Sequence, residues 1–385
     1  MSRRVLITGA CGFTGSNMVE HLVEAWPDAE IVATDLPGSG RGEYYVEAPE
    51  SDDPQPVFYE DILAEFDVEF VPADLTNPAD VSKIGESGPF DVVFHIASLF
   101  DYFAPREALY RVNVDGTRNL LMELGKMDSP RFIHWSTLGT LGDAGFDEPK
   151  DETSGYHPHN RYCESKVAQE QIVKAFEDRL DVTIIRPGPI YGPRHQYGIY
   201  NVLTTIERFG FAPVFSIRPA SKQFQFPCVH VEDVVGAAIH LAETPETIGE
   251  TYNVLSDSVG QDVMVRFLAE ELGYRSISIP APYPLYGLAA KISYSISLRV
   301  EAYARKRGTR PPVDSPMLRY LTGNMWFSNE KLKSTGYEFV YEDPRDGLLD
   351  YINWCRENGY LDYPDERVSR RAGLRRSIKQ RLSPS

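Results

Sequence analysis

The sequence predicts an α/β fold, a doubly wound parallel sheet followed by a smaller C-terminal α/β lobe. Two observations support this prediction. Short apolar runs alternate with segments of helical periodicity through the first half of the 385-residue chain, as in parallel strands joined by helices. A glycine-rich turn joins the first run to the first helix, and polar motifs follow the later runs. Ligands bind at these strand ends in such sheets.

The first strand is predicted at residues 4–7 and the first helix from Met18, with Gly9, Gly12 and Gly15 between them. Glycine permits a tight turn and lets the backbone approach a ligand closely. The free N–H groups and the dipole at a helix N-terminus favour a phosphate. The glycines alone would also fit a flexible surface turn, but their position between strand and helix indicates a pyrophosphate-binding loop.

An acid follows the second predicted strand. Asp35 stands twenty residues after Gly15, at the end of the apolar run 31–34. An acid there accepts hydrogen bonds from the ribose hydroxyls of NAD and repels the 2′-phosphate of NADP. We therefore expect NAD as cofactor. Arg41 argues in the other direction, since a nearby arginine can receive that phosphate.

Two further segments are placed to meet a bound dinucleotide. The third strand is predicted within residues 68–76, which end in a turn, and its Asp74 and Leu75 are expected at the adenine ring. Asp74 also suits an Asx turn or a helix N-cap, and both roles are compatible. Asn113, in a later helix, is placed to hydrogen-bond backbone carbonyls near the site.

The fourth strand, predicted at 91–98, runs into Ile96, Ala97 and Ser98. Small side chains at its end allow a cofactor to lie against the backbone. We expect His95 to be a packed strand residue rather than a proton carrier. An aromatic-rich loop at 99–103 follows, beside the expected nicotinamide position.

The proposed chemistry rests on a tyrosine and a lysine one helical turn apart, Tyr162 and Lys166. A free tyrosine, with a pKa of about 10, is a poor base at neutral pH. A nearby ammonium favours the phenolate and brings the tyrosine into range for proton transfer. Ser136 and Thr137 end the preceding strand and offer a hydroxyl to a substrate oxygen. An exposed helix pair is the alternative for the tyrosine–lysine spacing alone.

Together these motifs resemble the extended short-chain dehydrogenase/reductase superfamily, the NAD-dependent epimerase/dehydratase-like enzymes, over most of the chain. The resemblance implies a Rossmann-type sheet, NAD as cofactor, and a homodimer. It also implies that the catalytic hydroxyl lies five positions before a loop glycine; Gly142 then selects Thr137, with Ser136 as its neighbour. The implied catalytic residues are Tyr162, Lys166, Thr137 and Ser136. The implied NAD contacts are Gly9, Cys11, Gly12, Phe13, Thr14, Gly15, Asp35, Asp74, Leu75, Ile96, Ala97, Ser98, Asn113, Tyr162, Lys166 and Pro187.

Departures from the superfamily's patterns point to one branch. Related sugar-nucleotide dehydratases follow the catalytic threonine with Asp-Glu, whereas Leu138 and Gly139 follow it here, so dehydration is not expected. The neutral, aromatic stretch 223–226 replaces an arginine that grips the diphosphate in many sugar-nucleotide enzymes. Late motifs resemble the 3β-hydroxysteroid dehydrogenase branch, which includes the sterol-4α-carboxylate 3-dehydrogenases: Arg310-Pro311-Pro312-Val313, Tyr320-Leu321, Trp326-Phe327-Ser328-Asn329-Glu330-Lys331-Leu332, Gly336-Tyr337 and Asp346-Gly347-Leu348.

We therefore expect an NAD-dependent oxidoreductase that oxidises a secondary alcohol of a 3β-hydroxysteroid or sterol-like substrate in an aromatic, charge-poor pocket. A sugar-nucleotide epimerase using the same Tyr162 and Thr137 pair is the alternative. A non-catalytic NAD-binding regulator is a third hypothesis. We expect residues 1–186 plus about 229–252 to bind NAD, residues 187–228 plus about 253–360 to form the substrate lobe, and 361–385 to form a basic tail.

Composition limits the partners and the location. A net charge of −17 argues against a nucleic-acid partner. The four cysteines are far apart, without zinc spacing or a disulfide framework, so we expect a reducing, cytoplasmic setting and no metal. We find no signal-peptide pattern and no apolar run long enough for a membrane span.

Two stretches bear on membrane contact. Residues 284–298 have apolar positions at helical spacing, for which packing on the chain's own lobe is the first expectation and membrane contact the alternative. Seven basic residues and no acids lie between Arg367 and Ser385, with an apolar stripe among them. This tail is either a solvated chain end or a basic amphipathic segment that binds an anionic membrane peripherally. An acidic insertion is expected at 43–61.

Overall fold

Seven parallel strands form the central sheet in the computed structural model, which describes residues 2–37, 63–311 and 315–364. They are β1 (Arg4–Thr8), β2 (Glu30–Thr34), β3 (Glu69–Phe70), β4 (Val92–His95), β5 (Arg131–Trp135), β6 (Asp181–Pro187) and β11 (Thr251–Val254). The order across the sheet is β11-β6-β5-β4-β1-β2-β3. This confirms the predicted doubly wound α/β fold.

The chain reverses its direction of travel across the sheet at β1, which pairs with β2 on one side and β4 on the other. Val5 is aligned with Ile31 of β2 and with Val92 of β4. The crevice outside the carboxyl ends of β1 and β4 is the position where such sheets bind ligands. The glycine loop leaves β1 at this point.

Helices cover both faces of this sheet, because successive side chains of β1 point to opposite sides. Val5 and Ile7 belong to the core shared with Met18, whereas Leu6 lies in a separate core with Leu120. The helices and turns of this part are α1 (Phe13–Ala25), α2 (Pro78–Glu86), α3 (Arg106–Leu109), a π-helical stretch (Tyr110–Gly116), α4 (Thr117–Leu124), a 3-10 turn (Leu138–Thr140), α5 (Arg161–Lys174), α7 (Val231–Glu243) and a second 3-10 turn (Pro245–Thr247).

The remaining elements include those that build a second core. The strands are β7 (Ile190–Tyr191), β8 (Phe211–Arg218), β9 (Gln225–Phe226), β10 (Val229–His230), β12 (Val259–Gly260) and β13 (Arg275–Pro282). The helices are α6 (Ile199–Phe209), a 3-10 turn (Ala220–Lys222), α8 (Gln261–Glu271), α9 (Tyr283–Arg307), α10 (Ser315–Thr322), α11 (Glu330–Lys333) and α12 (Pro344–Glu357). Tyr191, Leu203, Leu268 and Ile352 are buried together in this core.

We expected the NAD-binding part to resume at about residue 229, but the strand that begins there does not join the central sheet. β10 instead pairs with β7 in a separate parallel pair, and α7 then returns to pack with α1. The strand that joins the sheet here is β11, aligned with β6 from Thr251 to Val254. Two further pairs complete the second part, β12 with β9 and β13 with β8.

Helix α9 packs on its own lobe, as expected for residues 284–298, but through its tyrosine-bearing side and not through its aliphatic side. Its apolar stripe faces outward, with Leu285 at 65%, Leu288 at 57% and Ile296 at 54% exposure. Among the described residues, no helix combines the length and hydropathy required to cross a membrane. Arg41, the insertion 43–61 and the tail from Arg367 lie outside the described residues.

Candidate active site

The glycine loop is packed too tightly for side chains at two of its positions. A Cβ on Gly9, where φ is +73°, would lie 2.8 Å from the backbone of Ala97. A Cβ on Gly15 would lie 2.0 Å from the Gly9 carbonyl oxygen. Helix α1 starts directly after Gly12 without a side-chain cap, which leaves first-turn N–H groups for a ligand. The loop therefore fits a pyrophosphate held by backbone N–H groups.

Asp35 lies directly beside this loop. Its carboxylate accepts hydrogen bonds from the backbone N–H of Cys11 at 2.9 Å and of Leu36 at 2.7 Å. The structure thus brings the acid after β2 and the loop after β1 to the same edge of the sheet. This is the arrangement that a ribose beside a pyrophosphate requires.

Asp74 forms the local turn that the sequence suggested. Its Oδ1 accepts a hydrogen bond from the Thr76 N–H at 2.8 Å. The carbonyl of Leu75 accepts a hydrogen bond from the Asn119 side chain at 3.0 Å. A contact with adenine remains a prediction for both residues.

His95 is a packed residue, as expected. It is 1% exposed, and its two ring nitrogens lie 2.8 Å from the hydroxyl oxygens of Thr8 and Thr117. Burial lowers the pKa of His95 to about 3, so the ring is neutral at physiological pH. It joins β1, β4 and α4 below the cofactor crevice.

Asn113 fixes the loop that follows β4. It is fully buried in the π-helical stretch, accepts the Leu99 N–H at 2.7 Å and donates to the Leu99 carbonyl at 3.2 Å. It also donates to the Ser165 hydroxyl at 3.0 Å. Asn113 thus ties this loop to α5, the helix that carries Tyr162.

Lys166 is buried at the centre of the site with its ammonium group fully bonded. Its Nζ donates to the Trp135 carbonyl at 2.6 Å, to Gln169 Oε1 at 2.5 Å and to the Ser98 hydroxyl at 3.3 Å. The side chain is 1% exposed, and this burial lowers the pKa of Lys166 to about 7. Lys166 therefore changes charge near neutral pH.

The hydroxyl of Ser136 points into a buried ion pair that the sequence analysis did not identify. It donates to Glu170, which also accepts Arg186 Nε at 3.0 Å and Nη2 at 2.7 Å and the Tyr156 hydroxyl at 2.8 Å. Burial alone would raise the pKa of Glu170, but the bonds to Arg186 outweigh it and hold that pKa below its usual value. Glu170 follows Lys166 by four residues, so the sequence already placed it on the same face of the helix as the lysine.

Thr137 has a different environment from its neighbour Ser136. Its Oγ1 accepts the Gly139 N–H at 3.2 Å, and its hydroxyl hydrogen has no acceptor within the described part of the chain. Thr137 lines a small cavity together with Asn160, Cys163 and Pro187. The loop closes at Gly142, where φ is +68° and a Cβ would lie 2.3 Å from the His157 carbonyl oxygen.

Aromatic rings surround Tyr162. The ring of Phe100 lies edge-on 5.1 Å from it and that of Tyr102 5.9 Å from it, while Phe100 also contacts Tyr197 at 5.8 Å. Phe100 and Tyr102 belong to the aromatic loop noted in the sequence. Tyr197 was not identified, because it comes from a distant loop.

One cationic side chain reaches the cavity, which the sequence analysis expected to be poor in charge. Arg319 lines it and forms an ion pair with Asp143 at 2.7 Å. His159 lies 3.7 Å from the other oxygen of Asp143, and burial lowers the pKa of His159. The rest of the lining includes Met325 and Phe327, so the cavity is apolar with one charged end.

The family follows from a match over most of the folded chain. A family model for the NAD dependent epimerase/dehydratase family covers residues 5–254. The chain belongs to this family. The family is one of NAD-dependent epimerases and dehydratases, and NAD is the cofactor of this chain.

Relatives within this family catalyse different reactions. The mouse dTDP-D-glucose 4,6-dehydratase is 30% identical over 51% of this chain and 52% of its own, so the match spans about half of that relative. The sterol-4-alpha-carboxylate 3-dehydrogenase, decarboxylating, of Candida albicans is 30% identical over 49% of this chain and 51% of its own. The N-acetyl-alpha-D-glucosaminyl-diphospho-ditrans,octacis-undecaprenol 4-epimerase of Escherichia coli O157:H7 is 25% identical over 89% and 92%.

Solved epimerase/dehydratase structures share the fold. The dTDP-glucose 4,6-dehydratase of Streptomyces venezuelae, solved with NAD bound, has a TM-score of 0.63 at 22% identity. The likeness covers 93% of this chain and 99% of that one. At this identity it supports the fold alone.

Proposed function

We propose that this enzyme oxidises a secondary alcohol of a large apolar, 3β-hydroxysteroid or sterol-like substrate to a ketone. The observation that carries the proposal is the position of the Thr137 hydroxyl. It lines an apolar cavity, and its hydrogen has no acceptor among the described residues. The neighbouring Ser136 hydroxyl, in contrast, donates to Glu170. The site thus offers one free hydroxyl donor to an alcohol oxygen.

The glycine loop and the acid beside it would hold NAD by its pyrophosphate and ribose. Bound NAD supplies the acceptor for the hydride that leaves the alcohol carbon. We propose that residues 1–186 plus about 229–252 form the NAD-binding part and the remainder up to 360 the substrate lobe. The proposed NAD contacts are the residues implied by the superfamily: Gly9, Cys11, Gly12, Phe13, Thr14, Gly15, Asp35, Asp74, Leu75, Ile96, Ala97, Ser98, Asn113, Tyr162, Lys166 and Pro187.

Tyr162 accepts the alcohol proton in this mechanism. Lys166, one helical turn further along α5, assists it by electrostatic stabilisation of the phenolate when the lysine is charged. Burial of Lys166 brings its pKa to about 7, so the charged form is available at and below neutral pH. Hydrogen bonds to Trp135 and Ser98 fix the ammonium group between the ends of β5 and β4.

Thr137 positions the substrate. Its hydroxyl donates to the alcohol oxygen, and the N–H of Gly139 holds its Oγ1 from behind. Ser136 has a positioning role, since its bond to Glu170 anchors the strand end that carries Thr137. The Asp-Glu pair that follows the threonine in the related dehydratases is replaced here by Leu138 and Gly139. Leu138 is 3% exposed in an apolar cluster, so the acid and base of dehydration are missing at these positions.

The cavity lining supports an apolar substrate that carries an acidic group. Pro189, Met325 and Phe327 provide apolar surface, and Arg319 provides a cation at the same cavity. A carboxylate beside the alcohol would pair with Arg319, and the β-keto acid formed by oxidation would then lose carbon dioxide readily. The Candida albicans relative bears the name of a decarboxylating enzyme on such a substrate.

A sugar-nucleotide epimerase is the second candidate, using the same Tyr162 and Thr137. The Escherichia coli epimerase, which matches over 89% of this chain, favours it. Arg319 would then meet a diphosphate. The neutral stretch Gln223–Phe226 argues against that substrate, since Phe224 is 3% exposed and packs on aromatic neighbours.

We also propose a homodimer, as the superfamily resemblance implies, and peripheral attachment of the tail from Arg367 to an anionic membrane. Light scattering tests the first proposal. Co-sedimentation with anionic vesicles, with a chain ending at Glu366 as the comparison, tests the second.

A screen of substrates tests the catalytic proposal. The purified enzyme with NAD is given 3β-hydroxysteroids, their 4-carboxylated analogues and UDP-sugars, and both NADH and sugar products are followed. The proposal predicts NADH formation with a steroid or sterol alcohol. Epimerised sugar without net NADH would establish the second candidate instead, and a chain that binds NAD without turning over either class would indicate a regulator.

A further inference from the structure

Helix α9 turns its aliphatic side outward, whereas a helix packed on a core turns that side inward. The side that contacts the protein carries Tyr286, Tyr294 and Ala304, of which Ala304 is 5% exposed. Tyr286 packs on Phe224, and Tyr294 packs under the Arg319 guanidinium at 5.5 Å. The opposite side carries an outward apolar stripe, which we call the α9 stripe: Leu285, Leu288, Ile292, Ile296 and Tyr303, each 51–65% exposed.

A second apolar surface adjoins this stripe. β8 and β13 form a ribbon whose inner side packs Ala212, Val214 and Ile217 into the protein. Its outer side is apolar as well and carries Phe211, Phe215, Ile277 and Ile279, each 38–49% exposed. These residues lie at neighbouring positions of the two paired strands. The ring of Phe215 lies 5.3 Å from Tyr286, so the ribbon surface continues into α9. Contiguous exposed apolar surface of this kind marks an interaction site.

Charge identifies the partner of this surface. The whole chain carries 39 basic and 56 acidic residues, but residues 275–311 carry seven basic residues and one acid. That acid, Glu301, is paired with Arg305 at 2.8 Å. Arg299, Lys306 and Arg307 are exposed at positions that flank the α9 stripe on the helical wheel. The surface is therefore apolar at its centre and cationic at its edges, within an acidic protein.

We propose that the α9 stripe and the outer side of the β8–β13 ribbon dock on an anionic lipid bilayer. An exposed apolar helix face flanked by Lys and Arg inserts at the level of the lipid headgroups, while the basic side chains attract anionic lipids. The inference rests on exposure and charge and does not depend on which alcohol the enzyme oxidises. It is also separate from the tail after Arg367, which belongs to another part of the chain.

The docking surface is connected to the active site. Arg305, near the end of α9, donates to the Phe103 carbonyl at 2.7 Å and stacks over the Phe103 ring at 4.1 Å. Arg310 pairs with Asp101 at 2.8 Å. Residues 101–103 belong to the loop whose rings contact Tyr162. Lipid docking would therefore hold this loop, and Tyr162 beside it, close to a substrate dissolved in the membrane.

Vesicle flotation of the full-length protein tests the proposal, with vesicles of phosphatidylglycerol and phosphatidylcholine compared with phosphatidylcholine alone. The stripe variant is Leu288→Ser, Ile292→Ser, Ile296→Ser. The charge variant is Arg299→Gln, Lys306→Gln, Arg307→Gln. The matched control is Ile248→Ser, Val340→Ser, Leu349→Ser, which removes three exposed apolar side chains elsewhere. A chain ending at Glu366 isolates the tail.

We expect flotation with the anionic vesicles only. The charge variant should bind about a hundredfold more weakly at low salt, since each basic side chain near the surface contributes roughly a fivefold factor. The stripe variant should bind at least tenfold more weakly at low and high salt. The control should bind as tightly as the wild type, and the shortened chain should still float with the anionic vesicles. All variants should keep their NAD affinity and melting temperature, because the changed side chains are exposed.

Three results would overturn the proposal. The first is a wild type that does not float with anionic vesicles. The second is a stripe variant that floats as well as the control. The third is a loss of binding in the shortened chain alone. Light scattering, which measures molecular mass, tests whether a second copy of the chain binds this surface instead. If the stripe variant has a smaller mass than the wild type and neither floats, the surface is an interface between two copies of the chain, and the lipid proposal is wrong.

Discussion

The ammonium group of Lys166 donates a hydrogen bond to the carbonyl oxygen of Trp135 at 2.6 Å. This contact joins α5, the helix of Tyr162, to the end of β5, the strand that leads into Ser136 and Thr137. Because the lysine is fully buried, its contact also fixes the distance between the proton acceptor and the hydroxyl donor. The charge of Lys166 is thus linked to both the stability of the fold and its chemistry.

The first prediction concerns stability and pH. Burial lowers the pKa of Lys166 from 10.5 to about 7, so between these values the unfolded chain holds a proton that the folded chain lacks. The free energy of unfolding should therefore rise with pH in this window through Lys166, by about 1.4 kcal/mol per pH unit at most. Lys166→Met should lack this contribution, and denaturation at pH 7, 8 and 9 should show a smaller slope than the wild type. Parallel curves for both proteins would refute the assignment.

The second prediction separates the two adjacent hydroxyls. Thr137→Val should lower kcat about a hundredfold, because it removes the donor to the substrate oxygen, and should cost no more than about 1 kcal/mol of stability through the lost acceptor for the Gly139 N–H. Ser136→Ala should cost about 1–3 kcal/mol of stability, since Glu170 loses a donor in its buried network with Arg186, and should keep kcat within about tenfold. Steady-state kinetics and urea denaturation of both variants measure this. Equal losses of kcat would contradict the division of roles.

The third prediction concerns cofactor choice. Asp35→Asn removes the charge that repels a 2′-phosphate and keeps one of the two oxygens that accept the Cys11 and Leu36 N–H groups. The ratio of kcat/KM for NADP to that for NAD should rise about tenfold in this variant, with Asp35→Glu as the charge-retaining control. A wild type that uses both cofactors equally well would show that Asp35 does not select NAD.

The fourth prediction concerns the charged end of the cavity. Arg319→Gln should lower kcat/KM for a 4-carboxylated sterol alcohol about 10- to 100-fold, because a hydrogen bond to a charged group contributes about 1.5–3 kcal/mol. The same variant should oxidise the neutral alcohol within about threefold of wild type. Arg319 also pairs with Asp143, so Asp143→Asn serves as the control for loss of that ion pair. Equal losses on both alcohols would assign Arg319 to structure alone.

Local patterns were sufficient to predict the sheet and the positions of its motifs. The glycine loop, Asp35 and the tyrosine–lysine pair depend on residue identity at fixed spacing, and the structure places each at a strand end or helix start. The third strand was predicted too long. The strand itself is only Glu69–Phe70, at the edge of the sheet, although the N–H groups of Val71 and Ala73 still donate to the carbonyls of Ala33 and Asp35 at 2.9 Å.

Tertiary partners decided what the sequence left open. The direction of the Ser136 hydroxyl depends on Glu170 and Arg186, which come from α5 and β6, and no local pattern specifies that meeting. The periodicity of α9 reveals an amphipathic helix but does not tell which side faces the protein. Its tyrosine-bearing side packs inward on the ring of Phe224 and the guanidinium of Arg319.

The most direct test of the account is the rate of NADH formation from a 3β-hydroxysteroid by the wild type and by Tyr162→Phe, with NAD affinity measured on both. The account predicts NADH formation by the wild type, a loss of about 10²- to 10⁴-fold in the variant, and nearly equal NAD affinity, since only the proton acceptor is removed. Turnover by Tyr162→Phe within a few-fold of wild type would contradict it.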